Sequence, residues 1–191
     1  MYKEFLINSF ENLSNCFLQL KKCAPEIEQV AKECIFAIKN GNKIMFCGNG
    51  GSAADAQHLC AELVGRYKLN RRAYQAISLN SDTSVLTAIA NDFGYAAVFE
   101  RQIEGIGVAG DVLVVISTSG ESENLLMAVN KAKKMGIKTV AMLGAKKCVL
   151  TDLVDYVIAV PSVVTNNIQE MQIAVGHLIC EIIEKELNNS F

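Results

Sequence analysis

Few residues of this 191-residue chain suit acid–base or metal chemistry, because it contains only two histidines, His58 and His177. His58 stands four residues before Glu62, and residues at this spacing project from one face of a helix. An imidazole and a carboxylate placed in this way can reach one metal ion or one substrate. An ordinary surface salt bridge is the alternative, since Arg66 follows Glu62 by four residues.

His177 lies in a long apolar helical pattern near the carboxyl end of the chain, together with Gln169. A lone histidine in such a pattern is often a core residue, or here a partner of Glu181 four residues later. Gln169 and His177 are eight residues apart, which corresponds to about 12 Å of helix rise. A shared ion therefore implies a distorted helix or ligands from two chains.

A glycine turn, Gly48-Asn49-Gly50-Gly51-Ser52, joins an apolar run to a helical pattern. Glycines permit positive φ angles there and let backbone N–H groups approach an anionic or hydroxyl-rich ligand at the positive end of the helix. A dinucleotide-binding turn would need an acidic residue about 20 positions later, where the chain has Arg71 and Arg72. The other alternative is a capping turn, with Ser52 as N-cap and Asp55 closing a capping box.

A serine loop, Ser117-Thr118-Ser119-Gly120-Glu121-Ser122, follows the most apolar run of the chain. Its hydroxyls and the free N–H groups of the next helix can bind a phosphate without lysine or arginine. A capping turn is again the alternative, because Ser119 and Ser122 are ordinary N-cap residues and Glu121 suits a helix N-terminus. Four hydroxyls within six residues favour phosphate binding.

The remaining hydrophobic pattern predicts the elements that position these residues. Short apolar runs predict five strands, at 43–47, 76–79, 111–117, 138–143 and 156–160. Three- and four-residue apolar spacings predict a helical hairpin, 2–22 and 25–39, and helices at 52–65, 82–90, 94–106, 122–135 and 166–187. This alternation is typical of a three-layer α/β/α sandwich around a parallel sheet. We therefore expect a single domain over residues 1–191, which includes the hairpin of residues 1–40.

Composition restricts the partners and the compartment. Eighteen Lys and Arg against 20 Asp and Glu give a net charge of −2, so nucleic acid and anionic membranes find no basic surface. The longest strongly apolar run, 112–116, is too short to span a bilayer. Seven cysteines without a C-x-x-C pair indicate reduced thiols in a cytoplasmic protein, without a disulfide framework or a thiolate zinc site.

Together these motifs resemble the SIS (sugar isomerase) domain of the phosphoheptose isomerase family. The resemblance rests on the glycine turn and the helix after it up to Arg66, on Asn91-Asp92-Phe93-Gly94-Tyr95, on the serine loop and on Ile168-Gln169-Glu170. It implies conversion of sedoheptulose 7-phosphate to D-glycero-D-manno-heptose 7-phosphate for bacterial lipopolysaccharide core or capsule. It also implies a five-stranded parallel sheet in flavodoxin-like order, a homotetramer with sites between subunits, and one zinc ion per subunit.

The resemblance also assigns roles to residues by position. It implies that the sugar phosphate contacts Asn49, Gly50, Gly51, Ser52, Glu62, Asn91, Asp92, Ser117, Thr118, Ser119, Ser122 and Gln169. It implies a metal held by His58, Glu62, Gln169 and His177, with Glu62 and His177 as the acid–base pair. Asn166 departs from the pattern, because some members have aspartate there, and this affects a polar contact rather than the chemistry.

Ketose–aldose chemistry agrees with this set of residues. The reaction moves one proton between C1 and C2 through an enediol and another between the two oxygens, so it needs a base at carbon and a group near both oxygens. A carboxylate suits the first role and a histidine the second. We therefore expect Glu62 to remove the carbon-bound proton and His177 to serve the oxygens, with zinc polarising the carbonyl.

Two other functions stay open. Some SIS proteins, such as the bacterial DnaA-associating protein, keep the fold and the tetramer but act as non-catalytic, sugar-phosphate-binding adaptors. An adaptor has no need for His58, Glu62, Gln169 and His177 together with the serine loop, which favours the enzyme. An isomerase acting on a hexose phosphate would use similar chemistry.

Overall fold

The computed structural model describes residues 2–188. It begins with the helices α1 (Lys3–Leu20) and α2 (Ala24–Lys39), joined by a 3₁₀ turn, Lys21–Cys23. The elements that follow are β1 (Ile44–Gly48), α3 (Gly51–Val64), β2 (Ala76–Ser78), α4 (Thr83–Phe93), α5 (Glu100–Ile106), β3 (Val112–Ile116), α6 (Glu123–Lys134), β4 (Lys138–Leu143), α7 (Val149–Leu153), β5 (Tyr156–Ala159) and α8 (Thr165–Asn188). Over these residues no helix has the length and apolar character needed to cross a membrane.

The five strands form one parallel sheet in the order β2-β1-β3-β4-β5. This confirms the predicted five-stranded parallel sheet and its flavodoxin-like order. The order reverses at β1, whose last residue Gly48 pairs with Ile116 of β3. In sheets of this kind ligands bind at the reversal, beyond the carboxyl ends of the strands. The glycine turn and the serine loop both begin at this point.

Helices cover both faces of the sheet and create two separate cores. Ile44 and Phe46 of β1 belong to a core shared with α2, α3 and α8. Met45 and Cys47 of the same strand belong to a core shared with α5, α6 and α7. Burial on both faces explains why the strands are continuous apolar runs rather than alternating patterns. The three-layer α/β/α sandwich is therefore confirmed.

Three local expectations differ from the structure. The helix expected at 94–106 is divided, because Gly94 ends α4 with a φ of 85° and a 3₁₀ turn, Tyr95–Ala97, precedes α5. The five-residue α7 was not predicted, since so short a helix leaves no periodic pattern. The capping box at Ser52 is wrong: Gly50 is the N-cap, with φ 57° and ψ −122°, so α3 begins one residue earlier and buries Ser52.

A close crossing of α3 and α8 determines where their polar residues meet. Gly176 of α8 lies against Leu59 of α3, and a Cβ built on Gly176 would lie 2.5 Å from both methyl carbons of Leu59. Only glycine allows this approach, because Leu59 is fully packed in the core. Leu59 follows His58 and Gly176 precedes His177, so the crossing brings the two histidines together.

Replacing the crossing glycine tests this arrangement. Gly176→Ala should destabilise the protein by about 1–3 kcal/mol, because Leu59 must leave its place in the core. The matched control is Gly105→Ala in α5, where a Cβ meets nothing within 4 Å, and its stability should be unchanged or raised by about 0.4–1 kcal/mol. Urea unfolding followed by circular dichroism measures both variants. Equal losses of stability in the two variants would contradict the close crossing.

Candidate active site

Two histidines and a glutamate converge where α3 crosses α8. His58 Nε2 lies 3.0 Å from His177 Nε2 and 3.1 Å from Glu62 Oε1. The ligand atoms of all three residues lie within 4.8 Å of one another. The side chains of His58 and Glu62 are 49% and 21% exposed, so a ligand can approach the cluster from solvent. A single chain thus brings together residues up to 119 positions apart.

This cluster fits a divalent metal ion. Imidazole nitrogens and carboxylate oxygens bind such ions at about 2.0–2.2 Å. Two ligands on a tetrahedral ion at these bond lengths lie roughly 3.3 Å apart, close to the separations of 3.0 and 3.1 Å in the cluster. Two ring nitrogens that face each other need a shared proton or a shared cation, and a metal ion serves both rings.

The salt-bridge alternatives for the cluster residues are wrong. Glu62 contacts His58 rather than Arg66. Glu181 forms its ion pairs with two lysines rather than with His177. His58, Glu62 and His177 are therefore held by one another and by the helix crossing.

Gln169 lies at the glycine turn, two helical turns before His177. A Cβ built on Gly51 would lie 2.5 Å from Gln169 Nε2, so the glycine lets the amide approach the backbone. Helix α8 runs without interruption over Thr165–Asn188, so no break in the helix brings Gln169 toward His177. Within a single α8, Gln169 therefore lies at the glycine turn and His177 lies in the cluster with His58 and Glu62.

Asn49 connects the glycine turn to the serine loop. Its side-chain amide exchanges two hydrogen bonds of 2.9 Å with the amide of Asn124, in the first turn of α6. The Tyr95 hydroxyl also donates to Asn49 Oδ1, at 3.0 Å. Asn124 and Tyr95 were not predicted as site residues. Their positions gave the signal, since Asn124 follows the serine loop and Tyr95 closes the Asn91–Tyr95 motif.

The serine loop contains residues that shape its own backbone and residues that line a cavity. Ser117 is buried and shapes the loop, because its Oγ accepts a 2.9 Å hydrogen bond from Gly120 N. Ser122 occupies the N-cap position of α6, yet its side chain makes no capping hydrogen bond. Thr118 and Ser119 line a cavity of about 220 Å³. Ser119 Oγ also accepts a 3.4 Å hydrogen bond from Glu121 N, so local turn bonds and cavity-lining residues occur in the same loop.

The other predicted substrate contacts, Asn91, Asp92 and Ser52, differ from one another in burial. Asn91 and Asp92 are exposed at the end of α4, where Asn91 Nδ2 donates to Asp92 Oδ1 at 2.8 Å. Their segment is connected to the glycine turn by Tyr95, whose hydroxyl is hydrogen-bonded to Asn49. Ser52 is buried in the first turn of α3, and its carbonyl oxygen lies 2.6 Å from the position that a Cβ on Gly48 would take.

Two ionisable residues near the site, Asp55 and Lys146, were not predicted as site residues. Asp55 lies one turn before His58, and its Oδ2 is buried without a hydrogen-bond partner among residues 2–188. Burial raises the pKa of Asp55, whereas His58 and His177 oppose this shift. Lys146 lines the cavity at Thr118 and Ser119. Its place just after β4, at the same edge of the sheet as the serine loop, was the available signal.

Relatives in sequence extend over nearly the entire chain. The SIS domain family model matches residues 10–144. The phosphoheptose isomerase of Akkermansia muciniphila is 55% identical over 184 residues, which cover 96% of this chain and 97% of that protein. The phosphoheptose isomerase of Sulfurimonas denitrificans is 47% identical, over 97% of this chain and 94% of that protein.

Solved structures agree with the fold. A phosphoheptose isomerase from Francisella tularensis superposes with a TM-score of 0.93 at 32% identity, covering 97% of this chain and 99% of that one. A phosphoheptose isomerase from Neisseria gonorrhoeae gives a TM-score of 0.92 at 36% identity, covering 97% and 100%. From the family model, the sequence relatives and these structures together, the chain belongs to the phosphoheptose isomerase family of SIS-domain proteins.

Proposed function

We propose that this chain is a ketose–aldose isomerase that converts sedoheptulose 7-phosphate to D-glycero-D-manno-heptose 7-phosphate. The convergence of His58, Glu62 and His177 carries the proposal, because it supplies a carboxylate and an imidazole within one substrate's reach. Two relatives that match nearly the whole chain support it, since they are named phosphoheptose isomerases. The product would serve synthesis of lipopolysaccharide core or capsule.

In the proposed mechanism, Glu62 removes a proton from C1 of the ketose and a proton returns to C2. His177 carries a proton between O1 and O2, because an imidazole both accepts and donates protons near neutral pH. The ring of Tyr67 stacks on His177 with centroids 5.6 Å apart and an interplanar angle of 26°, which restricts rotation of the imidazole. A bound metal ion would polarise the sugar carbonyl. Because a carboxylate bound to zinc is a poorer base, either Glu62 leaves the ion during turnover or the ion serves mainly to organise the site.

We assign the phosphate and the hydroxyl groups of the substrate to different sets of residues. We assign the phosphate to Ser117, Thr118, Ser119 and Ser122 together with the N–H groups at the start of α6. We assign the sugar hydroxyls to Asn49, Gly50, Gly51, Ser52, Asn91, Asp92 and Gln169. Lys146 lines the cavity beside Thr118 and Ser119, and its ammonium group adds a positive charge that the serine loop lacks.

The metal in this proposal is zinc, one ion per chain. His58, Glu62 and His177 supply nitrogen and oxygen ligands of the types that zinc prefers. The buried, unpaired oxygen of Asp55 close to them also fits a nearby cation. Gln169 remains a fourth ligand on the resemblance alone, because its amide lies against Gly51 in this structure.

The proposed enzyme is a cytoplasmic homotetramer with sites between subunits. Helix α1 supports self-association, because Phe5, Phe10 and Leu18 on it are exposed and apolar patches of this kind mark interfaces. The cysteines support a reducing compartment, since all seven are free and burial raises the pKa of the Cys180 thiol to about 12.

The adaptor alternative finds no specific support. A module that acts only by binding a protein partner has no use for three potential ligand atoms within 4.8 Å of one another. A hexose phosphate isomerase differs from the proposed enzyme in chain length of the substrate rather than in chemistry.

Deuterium exchange tests the reaction and the base together. The wild-type protein should convert sedoheptulose 7-phosphate in deuterated water with deuterium at C2 of the product. Glu62→Gln should lower kcat by at least about 100-fold with little change in KM, because an amide cannot accept the proton.

Glu181→Gln is the control, because its carboxylate pairs with Lys68 and Lys185 at the surface, and it should keep the wild-type rate. A near-normal rate in the Glu62 variant would rule out Glu62 as the base. Failure of the wild-type protein to convert the sugar would reject the proposed function.

The phosphate assignment predicts a change in KM. Ser119→Ala should raise KM for sedoheptulose 7-phosphate about tenfold, the effect of one hydrogen bond to a charged group, and leave kcat nearly unchanged. Inhibition by inorganic phosphate should weaken by the same factor. Ser14→Ala, on the exposed side of α1, is the control. If kcat falls while KM and phosphate inhibition stay constant, the serine loop does not bind the phosphate.

The metal assignment predicts binding that depends on the histidine cluster. Protein freed of metal by dialysis should bind one zinc ion per chain in competition with a coloured chelator. His58→Ala should weaken the affinity at least tenfold, roughly the range known for perturbed zinc sites. Cys60→Ser, two residues further along α3, should bind zinc normally. Equal zinc affinity in the His58 variant and the wild-type protein would contradict this site.

A further inference from the structure

Arg71 and Glu184 form a buried ion pair between the end of α3 and helix α8. Arg71 Nε lies 3.0 Å from Glu184 Oε1, and the two side chains are 3% and 2% exposed. Neither residue belongs to the candidate active site. A buried ion pair is often no more stabilising than well-packed hydrophobic residues in its place. Stability alone therefore gives a weak reason for this pair, and its other hydrogen bonds indicate a different role.

The guanidinium of Arg71 holds the last turn of α3. One terminal nitrogen donates to Glu62 O at 2.7 Å, and the other donates to Leu63 O at 2.9 Å and to Gly65 O at 3.3 Å. Carbonyls in the last turn of a helix have no partner within the helix. Arg71 supplies donors to the carbonyls of Glu62 and Leu63, and the backbone of Glu62 is fixed by its bond to the guanidinium.

Glu184 holds the segment that leads from α3 to Arg71. Its carboxylate accepts hydrogen bonds from the backbone N–H groups of Tyr67, Lys68 and Leu69, at 3.1, 2.8 and 2.8 Å. Burial opposes ionisation of Glu184, but these three bonds and Arg71 outweigh it and lower its pKa. The ring of Tyr67 stacks on His177, which lies seven residues before Glu184 on α8.

We propose that Arg71 is a positioning residue that, through Glu184, holds Glu62 of α3 and His177 of α8 at the separation that isomerisation needs. The inference rests on the proposed function for the roles of Glu62 and His177. Arg71 touches neither the substrate nor the reacting atoms in this proposal. It acts by fixing the backbone of Glu62, and Glu184 acts by fixing Tyr67 against the His177 ring.

Lysine cannot replace arginine in this role. The guanidinium donates to five acceptors: Glu184 Oε1 and the carbonyls of residues 62, 63, 65 and 72. Lysine keeps the charge but has three donors on a single nitrogen. Arg71→Lys should therefore keep the protein folded while it loosens the last turn of α3.

The experiment compares Arg71→Lys and Arg71→Met with a matched ion-pair variant, Lys43→Met. Lys43 Nζ lies 2.6 Å from Oδ2 of the fully buried Asp111, at the amino-terminal edge of the sheet and away from the site. All variants are assayed with sedoheptulose 7-phosphate at a temperature where circular dichroism shows them folded. Zinc affinity is measured separately by chelator competition.

Misplacement of the catalytic groups predicts a loss in kcat of about 100-fold for Arg71→Met and a smaller loss for Arg71→Lys, with KM changed little in both. Zinc affinity should fall about 10- to 100-fold in Arg71→Met, as it does when residues supporting metal ligands are lost. Lys43→Met should lose stability but keep kcat and zinc affinity.

The double variant Arg71→Met with Glu184→Gln separates positioning from stability. The second change removes the unpaired charge and keeps an oxygen that accepts the backbone N–H groups, so stability should recover relative to Arg71→Met while kcat stays low. Recovery of kcat together with stability would overturn the proposal, as would near-normal kcat in Arg71→Met. If the wild-type protein converts no sedoheptulose 7-phosphate, only the proposed function fails, because the zinc comparison still tests Arg71.

Discussion

The contact between Gly176 and Leu59 is the constraint on which the rest of the site depends. Because no Cβ stands between them, α8 approaches α3 more closely than any larger residue would permit. The next residue on one helix and the preceding residue on the other are His177 and His58, whose Nε2 atoms lie 3.0 Å apart. The cluster is therefore a consequence of apolar packing beneath it. A tightly packed core of this kind deforms little, and it gives the polar residues above it a fixed geometry.

A second constraint comes from the parallel sheet. Its order reverses between β1 and β3, so the glycine turn and the serine loop emerge side by side. The paired amides of Asn49 and Asn124 then fasten one loop to the other. Helix N–H groups and hydroxyls can bind an anion without a basic surface, so the proposed phosphate site is compatible with the net charge of −2.

The sequence predicted the strands to within about two residues, because the three central strands are buried on both faces and appear as continuous apolar runs. The two loops were also predictable from glycine and serine at strand ends. The cluster geometry was not, since 119 residues separate His58 from His177 and no local pattern encodes a helix crossing. Gly176 carried the signal for that crossing, but a glycine inside a helical pattern has many explanations. The Arg71–Glu184 pair was equally hidden, because its partners are backbone atoms.

The division of labour between helices and loops follows from what each task requires. Proton transfer needs reacting groups held within a fraction of an ångström, and the residues proposed for catalysis and metal binding, His58, Glu62 and His177, lie on helices packed into one core. Phosphate and hydroxyl binding tolerates more adjustment, and its candidate residues stand on turns and helix ends. Arg71 lies on neither a helix nor one of the two site loops, but in the segment that follows α3. Its guanidinium gives the end of that helix the rigidity that the helix itself loses where its own hydrogen bonds stop.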